Sequence, residues 1–237
     1  MEHRYEHRAL RRLPATNTDT RTWYRITNLD TKARIDVYDE IGGYGVTAQQ
    51  FIGTLNDLDA AEIEVHLNTP GGDVFDAIAM HNALREHPAN VTTVVDGQAA
   101  SAGSFLFQAG DTRIMHDNTQ LMIHDAMTGG FGNQQDLLEL AEILDNVSNI
   151  IAGIYASRSG EDTETWRTRM RAETRYGAQE ALEAGLADEI INPWPKKYKP
   201  GEPGYKKPKR ADDESDSPAT DEELARILAT TLMEAFQ

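Results

Sequence analysis

Apolar and polar positions along this chain follow two rhythms that repeatedly replace one another. Arg34 to Tyr38 reads RIDVY, the period-two alternation of a half-buried strand. Thr47 to Gln50 then forms a capping box, opening a helix that puts Phe51, Ile52, Leu55 and Leu58 on one face. A second strand is predicted over Glu62 to Asn68, followed by the turn TPGGD. A helix from about Val74 to Glu86 comes next, with Phe75, Ile78, Ala79 and Ala83 on one face, and then a third strand, VTTVV, at Val91 to Val95. Strands that alternate with helices need crossover connections, so the pattern predicts an α/β fold with a largely parallel sheet.

The second half varies the theme. Two short strands, TRIMH and QLMIH, precede a glycine-rich break, TGGFGN, and a long helix from about Gln134 to Ser157. Its stripe of Leu137, Leu140, Ala141, Leu144, Val147, Ile151 and Ile154 is longer than a lone exposed helix would carry, so something must cover it. The segment Trp166 to Thr174, a helix AQEALEAG ending at Gly185, and a strand ADEII complete this body.

The rhythm is absent at both ends. Residues 1–21 are charged and aperiodic, as expected of an arm. Six of the nine prolines fall from Pro193 onward, first in a basic and then in an acidic run, which predicts a solvated linker over 193–219. A capping box at Thr220 and Glu223 opens a short amphipathic helix over 220–237, with Leu224, Ile227, Leu228, Leu232 and Phe236 on one face. It suits either docking on its own domain or binding a partner. One globular domain is therefore expected over 22–192.

Charge and composition narrow the chemistry. With 39 acidic and 23 basic residues the net charge is −16, against a nucleic-acid surface. Without cysteine there is no disulfide framework, thiolate nucleophile or cysteine-bound zinc. The N-terminus shows no apolar core of signal-peptide type and no run approaches a membrane span, so a soluble, cytoplasmic protein is expected.

Within DGQAASAGSF, Ser101 stands among small residues at a strand-to-helix junction, where a lone serine is more often a packing residue or a helix cap than a nucleophile. A nucleophile needs a base and oxyanion donors. His124 ends the strand QLMIH and can project near Ser101, although one histidine among seven, taken alone, is more often a surface or core residue. The paired glycines of TPGGD can turn N–H groups into open space beside a helix starting at Asp73, a candidate anion cradle or simply a strand-to-helix turn.

LNTPGGDVFDAIAM, DGQAASAG, LMIHDAM, the GGF before the long helix, and GAQEALEAGLADEI together resemble the ClpP-like serine peptidases, the proteolytic subunits of Clp protease, over roughly Ile26 to Asn192. YDEIGGYGVTA and GGDVFDAIAMHNALREH are further similar to phage head maturation proteases. The resemblance implies stacked ββα units shared with the enoyl-CoA hydratases, with a protruding handle helix. It implies Ser101 as nucleophile, His124 as base, and an oxyanion hole from the Gly72 and Ala102 amides. Peptide would bind as an added strand along Gly71, Gly72, Asp73 and Val74 on one side and Met127, Thr128 and Gly129 on the other. Glu173 stands where family members commonly have aspartate as the third triad member, and Asp125 is its rival.

No metal or cofactor is implied. The expected partners are copies of the chain, in a seven-membered ring or two stacked rings, and protein substrates such as phage scaffold, coat or portal protein, in the host cytoplasm or an immature capsid. Three alternatives stay open: a Clp subunit serving an ATP-dependent unfoldase, a thioester-binding enzyme of the hydratase type, and a catalytically weak ring or scaffold component.

Overall fold

In the computed structural model, residues 32–192 are described; the expected arm (1–21), Pro-rich linker (193–219) and C-terminal helix (220–237) lie outside them. The strands are β1 (Lys32–Val37), β2 (Glu62–Thr69), β3 (Asn90–Ala100), β4 (Thr112–His116), β5 (Gln120–Met122), β6 (Arg175–Gly177) and β7 (Glu189–Ile191). The helices are α1 (Ala48–Asn56), α2 (Val74–Glu86), α3 (Ala102–Phe107), α4 (Gln134–Ser159), α5 (Thr163–Arg171) and α6 (Ala178–Glu183). Parallel pairing gives the order β1-β2-β3-β4-β7, while β5 pairs in parallel with the end of β3 and antiparallel with β6. The α/β reading with a mostly parallel sheet therefore holds.

Local chemistry starts the helices where the pattern requires. Thr47 Oγ1 accepts from the Gln50 N–H at 3.3 Å and Gln50 Oε1 accepts from the Thr47 N–H at 3.2 Å, so α1 begins with Phe51 and Leu55 buried. Asp73 Oδ1 accepts from the Phe75 and Asp76 N–H groups at the start of α2. That helix turns a different face inward from the one expected. Ala77, Met80 and Leu84 enter the core, Ile78, Ala79 and Ala83 pack against its margin, and Phe75 is 63% exposed. Both sets fit the helical period, and the strand-to-helix turn selects which one faces the sheet.

Strand β3 runs beyond VTTVV. Its first half pairs with β4, Thr92 opposite Thr112, and its last three residues pair with β5, Ala100 opposite Met122. An irregularity opposite Asn68 separates the halves, and Asn68 Oδ1 accepts from the Gln98 N–H there. Small residues, DGQAA, let the strand change partners at this bend.

Toward the helices the sheet presents Ile35, Val37, Ile63, Val65, Leu67, Val91 and Val95, all buried. Its other face carries a polar cluster in which His66 Nδ1 and Asp96 Oδ2 lie 2.7 Å apart and Arg34 Nε donates to Asp36 at 2.7 Å. At the far edge Arg113 clasps β4 to the segment between α6 and β7: it donates to both Asp188 oxygens, to Gln108 Oε1 and to the Gly185 carbonyl.

Helix α4 is capped by Asn133 and ends at Gly160, whose φ of +80° suits a glycine stop. Val147, Ile151, Ala152 and Tyr155 anchor its second half in the core. Its first half stands clear, leaving Leu137, Leu138 and Ile143 about half exposed.

Candidate active site

The β3–β5 pairing brings Ser101 and His124 together. Ser101 follows the last residue of β3 and donates its N–H to the Met122 carbonyl at 2.8 Å, while His124 lies two residues beyond Met122. His124 Nε2 and Ser101 Oγ are 2.7 Å apart, within hydrogen-bond reach for proton transfer. Ser101 has φ +52° and ψ −123°, so a non-glycine residue is held in a strained turn between strand and helix. Such strain costs about 1–3 kcal/mol and persists only where surrounding structure imposes it. A strained strand-to-helix turn is also the geometry that lifts a nucleophilic serine into the open. Ser104, the other hydroxyl in this segment, is completely buried.

The turn TPGGD lies against this serine. A Cβ on Gly71 would come 2.7 Å from Ser101 Cβ and 2.6 Å from the Ala100 carbonyl, so only glycine allows the approach. Ile41 bridges the turn: its N–H donates to the Gly71 carbonyl at 2.8 Å, and its carbonyl accepts from the Asp73 N–H at 2.7 Å. In a parallel bridge of this kind the intervening residue turns its own amide away from the partner, so the Gly72 N–H faces the opposite side. Ala102 opens α3, where the first N–H groups have no intrahelical acceptor.

Beside these groups lies a cavity of about 360 Å³ lined by Ser101, Ala102 and His124, by Gly72 to Phe75, by Asp125 to Thr128, and by one side of α4 from Leu140 to Tyr155. Of the residues expected to hold substrate, Gly72, Asp73, Val74, Met127 and Thr128 line it. Gly71 and Gly129 do not. Gly71 is pressed against the Ser101 backbone, and its N–H donates to Thr69 Oγ1 at 3.1 Å. The Asp73 N–H is also engaged within the chain, so among these residues Gly72 keeps an outward-facing edge.

The two candidate carboxylates differ. Continuing the β5–β6 register from Met122 opposite Arg175 places Glu173 across from His124, and the Ile123 N–H donates to the Thr174 carbonyl at 2.9 Å between them. Glu173 is exposed with φ +50°. Asp125 is turned to Arg167, whose Nη2 donates to it at 3.1 Å. Among the described residues, neither carboxylate hydrogen-bonds to the His124 ring.

Two supports of the segment after His124 escaped the sequence reading. Ser148 Oγ on α4 accepts from the Ala126 N–H at 2.9 Å, and buried Arg167 ties Asp125 to Asp145 and Asn149. Ser148 sits in the apolar stripe of α4, where a serine between Val147 and Ile151 was the available signal. On the polar face of the sheet, Asp36, His66 and Asp96 bring donor atoms within 4.8 Å of one another. Arg34 already contacts both carboxylates, at 2.7 and 3.6 Å, and offsets part of their charge without a metal ion.

A family model described as Clp protease matches residues 17–193. Over 180 residues the chain is 29% identical to the ATP-dependent Clp protease proteolytic subunit 3 of Streptomyces coelicolor, covering 75% of this chain and 82% of that protein. It is 36% identical over 152 residues to the ATP-dependent Clp protease proteolytic subunit of Streptococcus pneumoniae, with 61% and 78% covered. The subunit of the same name from Pleurastrum terricola is 29% identical over 155 residues, with 65% and 78% covered.

Proposed function

The chain belongs to the Clp protease family, and from that premise we propose that it is an ATP-independent serine endopeptidase that matures a phage capsid by cleaving scaffold, coat or portal protein inside an immature shell. The observation that carries the peptidase chemistry is the 2.7 Å contact between Ser101 Oγ and His124 Nε2 at the mouth of the cavity. His124 takes the Ser101 proton as Oγ attacks the scissile carbonyl, and the Gly72 and Ala102 amides stabilise the oxyanion of the tetrahedral intermediate. His124 returns the proton to the leaving amine, and water then releases the acyl group by the same steps in reverse. Glu173, across from the histidine in the register, is the carboxylate that orients the ring and balances its charge. Peptide lies as an added strand between Gly72–Val74 and Met127–Thr128.

The half-exposed apolar face of α4 supports assembly into a homo-oligomeric ring, seven-membered and stacked in pairs. Among the described residues no helix is long and apolar enough to cross a membrane, and the setting proposed is the bacterial cytoplasm or the capsid interior. The capsid role rests on the stretch YDEIGGYGVTA, which contains the Ile41 bridge to the Gly72 turn. A second reading, a proteolytic subunit served by an unfoldase, is favoured by the relatives named ATP-dependent.

Incubation of the purified chain with a fluorophosphonate probe, and with an unstructured protein without ATP, tests both. Labelling at Ser101, lost in Ser101→Ala together with cleavage, is expected. Labelling that survives the substitution overturns the nucleophile, and cleavage that appears only with an unfoldase and ATP selects the second reading.

A further inference from the structure

The Ser101 carbonyl is held from one side by a single residue. The Ser104 N–H donates to it at 2.9 Å, and Ser104 Oγ donates to it at 2.5 Å, so both carbonyl lone pairs are engaged. A hydroxyl has one proton. With that proton committed to the carbonyl, the 2.7 Å contact between Ser104 Oγ and the Tyr155 hydroxyl is donated by the tyrosine. Both residues are buried, and burial pushes the Tyr155 phenol above its ordinary value, so its proton stays available. Trp166 backs the ring, with centroids 5.4 Å apart.

What this chain of hydrogen bonds fixes is a peptide plane. The Ser101 carbonyl and the Ala102 N–H belong to one rigid trans peptide unit and point in opposite directions. Holding the carbonyl toward Ser104 therefore holds the Ala102 amide the other way. We propose that Ser104 and Tyr155 are positioning residues: a relay from the Tyr155 hydroxyl through Ser104 to the Ser101 carbonyl sets the orientation of the Ala102 oxyanion donor. Packing alone does not call for two hydroxyls here, because alanine and phenylalanine would fill the same space. Tyr155 also stands on α4 and lines the cavity, so the relay connects that helix to the donor.

The inference rests on Ser101 acting as nucleophile, and its test separates the two claims. Wild type, Tyr155→Phe, Ser104→Ala and the double variant are compared for kcat and KM on an unstructured peptide, and for affinity toward a peptide aldehyde, whose serine adduct places an oxyanion in the hole. Tyr155→Phe keeps the ring against Trp166 and removes only the hydroxyl. It should lower kcat and aldehyde affinity in parallel, each by about 10-fold, with KM little changed. Ser104→Ala should lose at least as much, and the double variant no more than Ser104→Ala alone, because both groups act through one carbonyl. Folded single variants with wild-type kcat and aldehyde affinity overturn the relay, as do losses that multiply in the double variant. A wild-type chain that neither labels at Ser101 nor cleaves peptide removes the premise instead.

Discussion

At Ser101 several local requirements meet. Its backbone is strained, its N–H is tied to Met122, its carbonyl to Ser104, and Gly71 packs against its Cβ. Gly71→Ala should therefore be more damaging than an average glycine substitution: the new methyl meets backbone atoms at 2.6–2.7 Å, and φ of +94° adds strain. An activity assay on the folded variant should show a loss of about 100-fold or more, because displacing the nucleophile by about 1 Å costs that much. The carboxylate gives a second residue-scale prediction. Glu173→Gln should lower kcat on an unstructured peptide by about 100-fold or more with little change in thermal stability, as the imidazole loses orientation and charge balance. A nearly silent Glu173→Gln beside a crippling Asp125→Asn would assign the role to Asp125. Asp125→Asn is expected instead to loosen the Arg167 contact and act mainly on stability.

Among the elements, the edge formed by β4, α6 and β7 depends on one buried cation. Burial alone would raise the Asp188 pKa, but hydrogen bonds and charge from Arg113 outweigh it and hold the carboxyl below its ordinary value of 3.8. A depressed folded pKa means that this contribution is present above about pH 4 and fades as pH falls through the folded value. Urea midpoints measured from pH 7 to pH 3 should decline at the acid end, and Arg113→Met should remove the part of that decline due to Asp188. The substitution should also cost about 3 kcal/mol at pH 7, the low end for a broken buried pair because Asp188 keeps contact with water. None of this was legible in TRIMH and ADEII, which read only as strands. Sequence periodicity reports which side chains face a core, so α1, α4 and a largely parallel sheet emerged from it. It does not report where β3 changes partner, which face of α2 wins, or which acid sits beside which base, because these depend on contacts between distant segments. Ser101 and His124 could be singled out because short motifs carry them past strand ends, although β5 stops at Met122 and leaves His124 beyond the strand rather than at its end. Ser104 could not be, since its function lies in a carbonyl three residues back.

For the whole molecule, the question is what covers α4. Leu140, Ile143 and Leu144 line the cavity on one side of this helix, and Leu137 and Leu138 lie open nearby. Leu140→Glu with Leu144→Glu should therefore reduce both assembly and cleavage, whereas truncation after Asn192 should preserve the oligomer and cleavage of an unstructured peptide. Solution mass and peptide turnover of the two variants check this; a truncated chain that falls to monomers while the helix variant stays assembled reverses the assignment. The divided strand β3 also bears on synthesis. The serine proposed as nucleophile is residue 101, but the strand that fixes its N–H ends at Met122, its hydrogen-bond partner is His124, and the segment across from that histidine begins at Glu173. A ribosome that has released only the first 110 residues has made the serine and the glycine turn beside it, yet neither the Met122 carbonyl that accepts its N–H nor His124. On the proposed mechanism the chain is thus inert until His124 has been made.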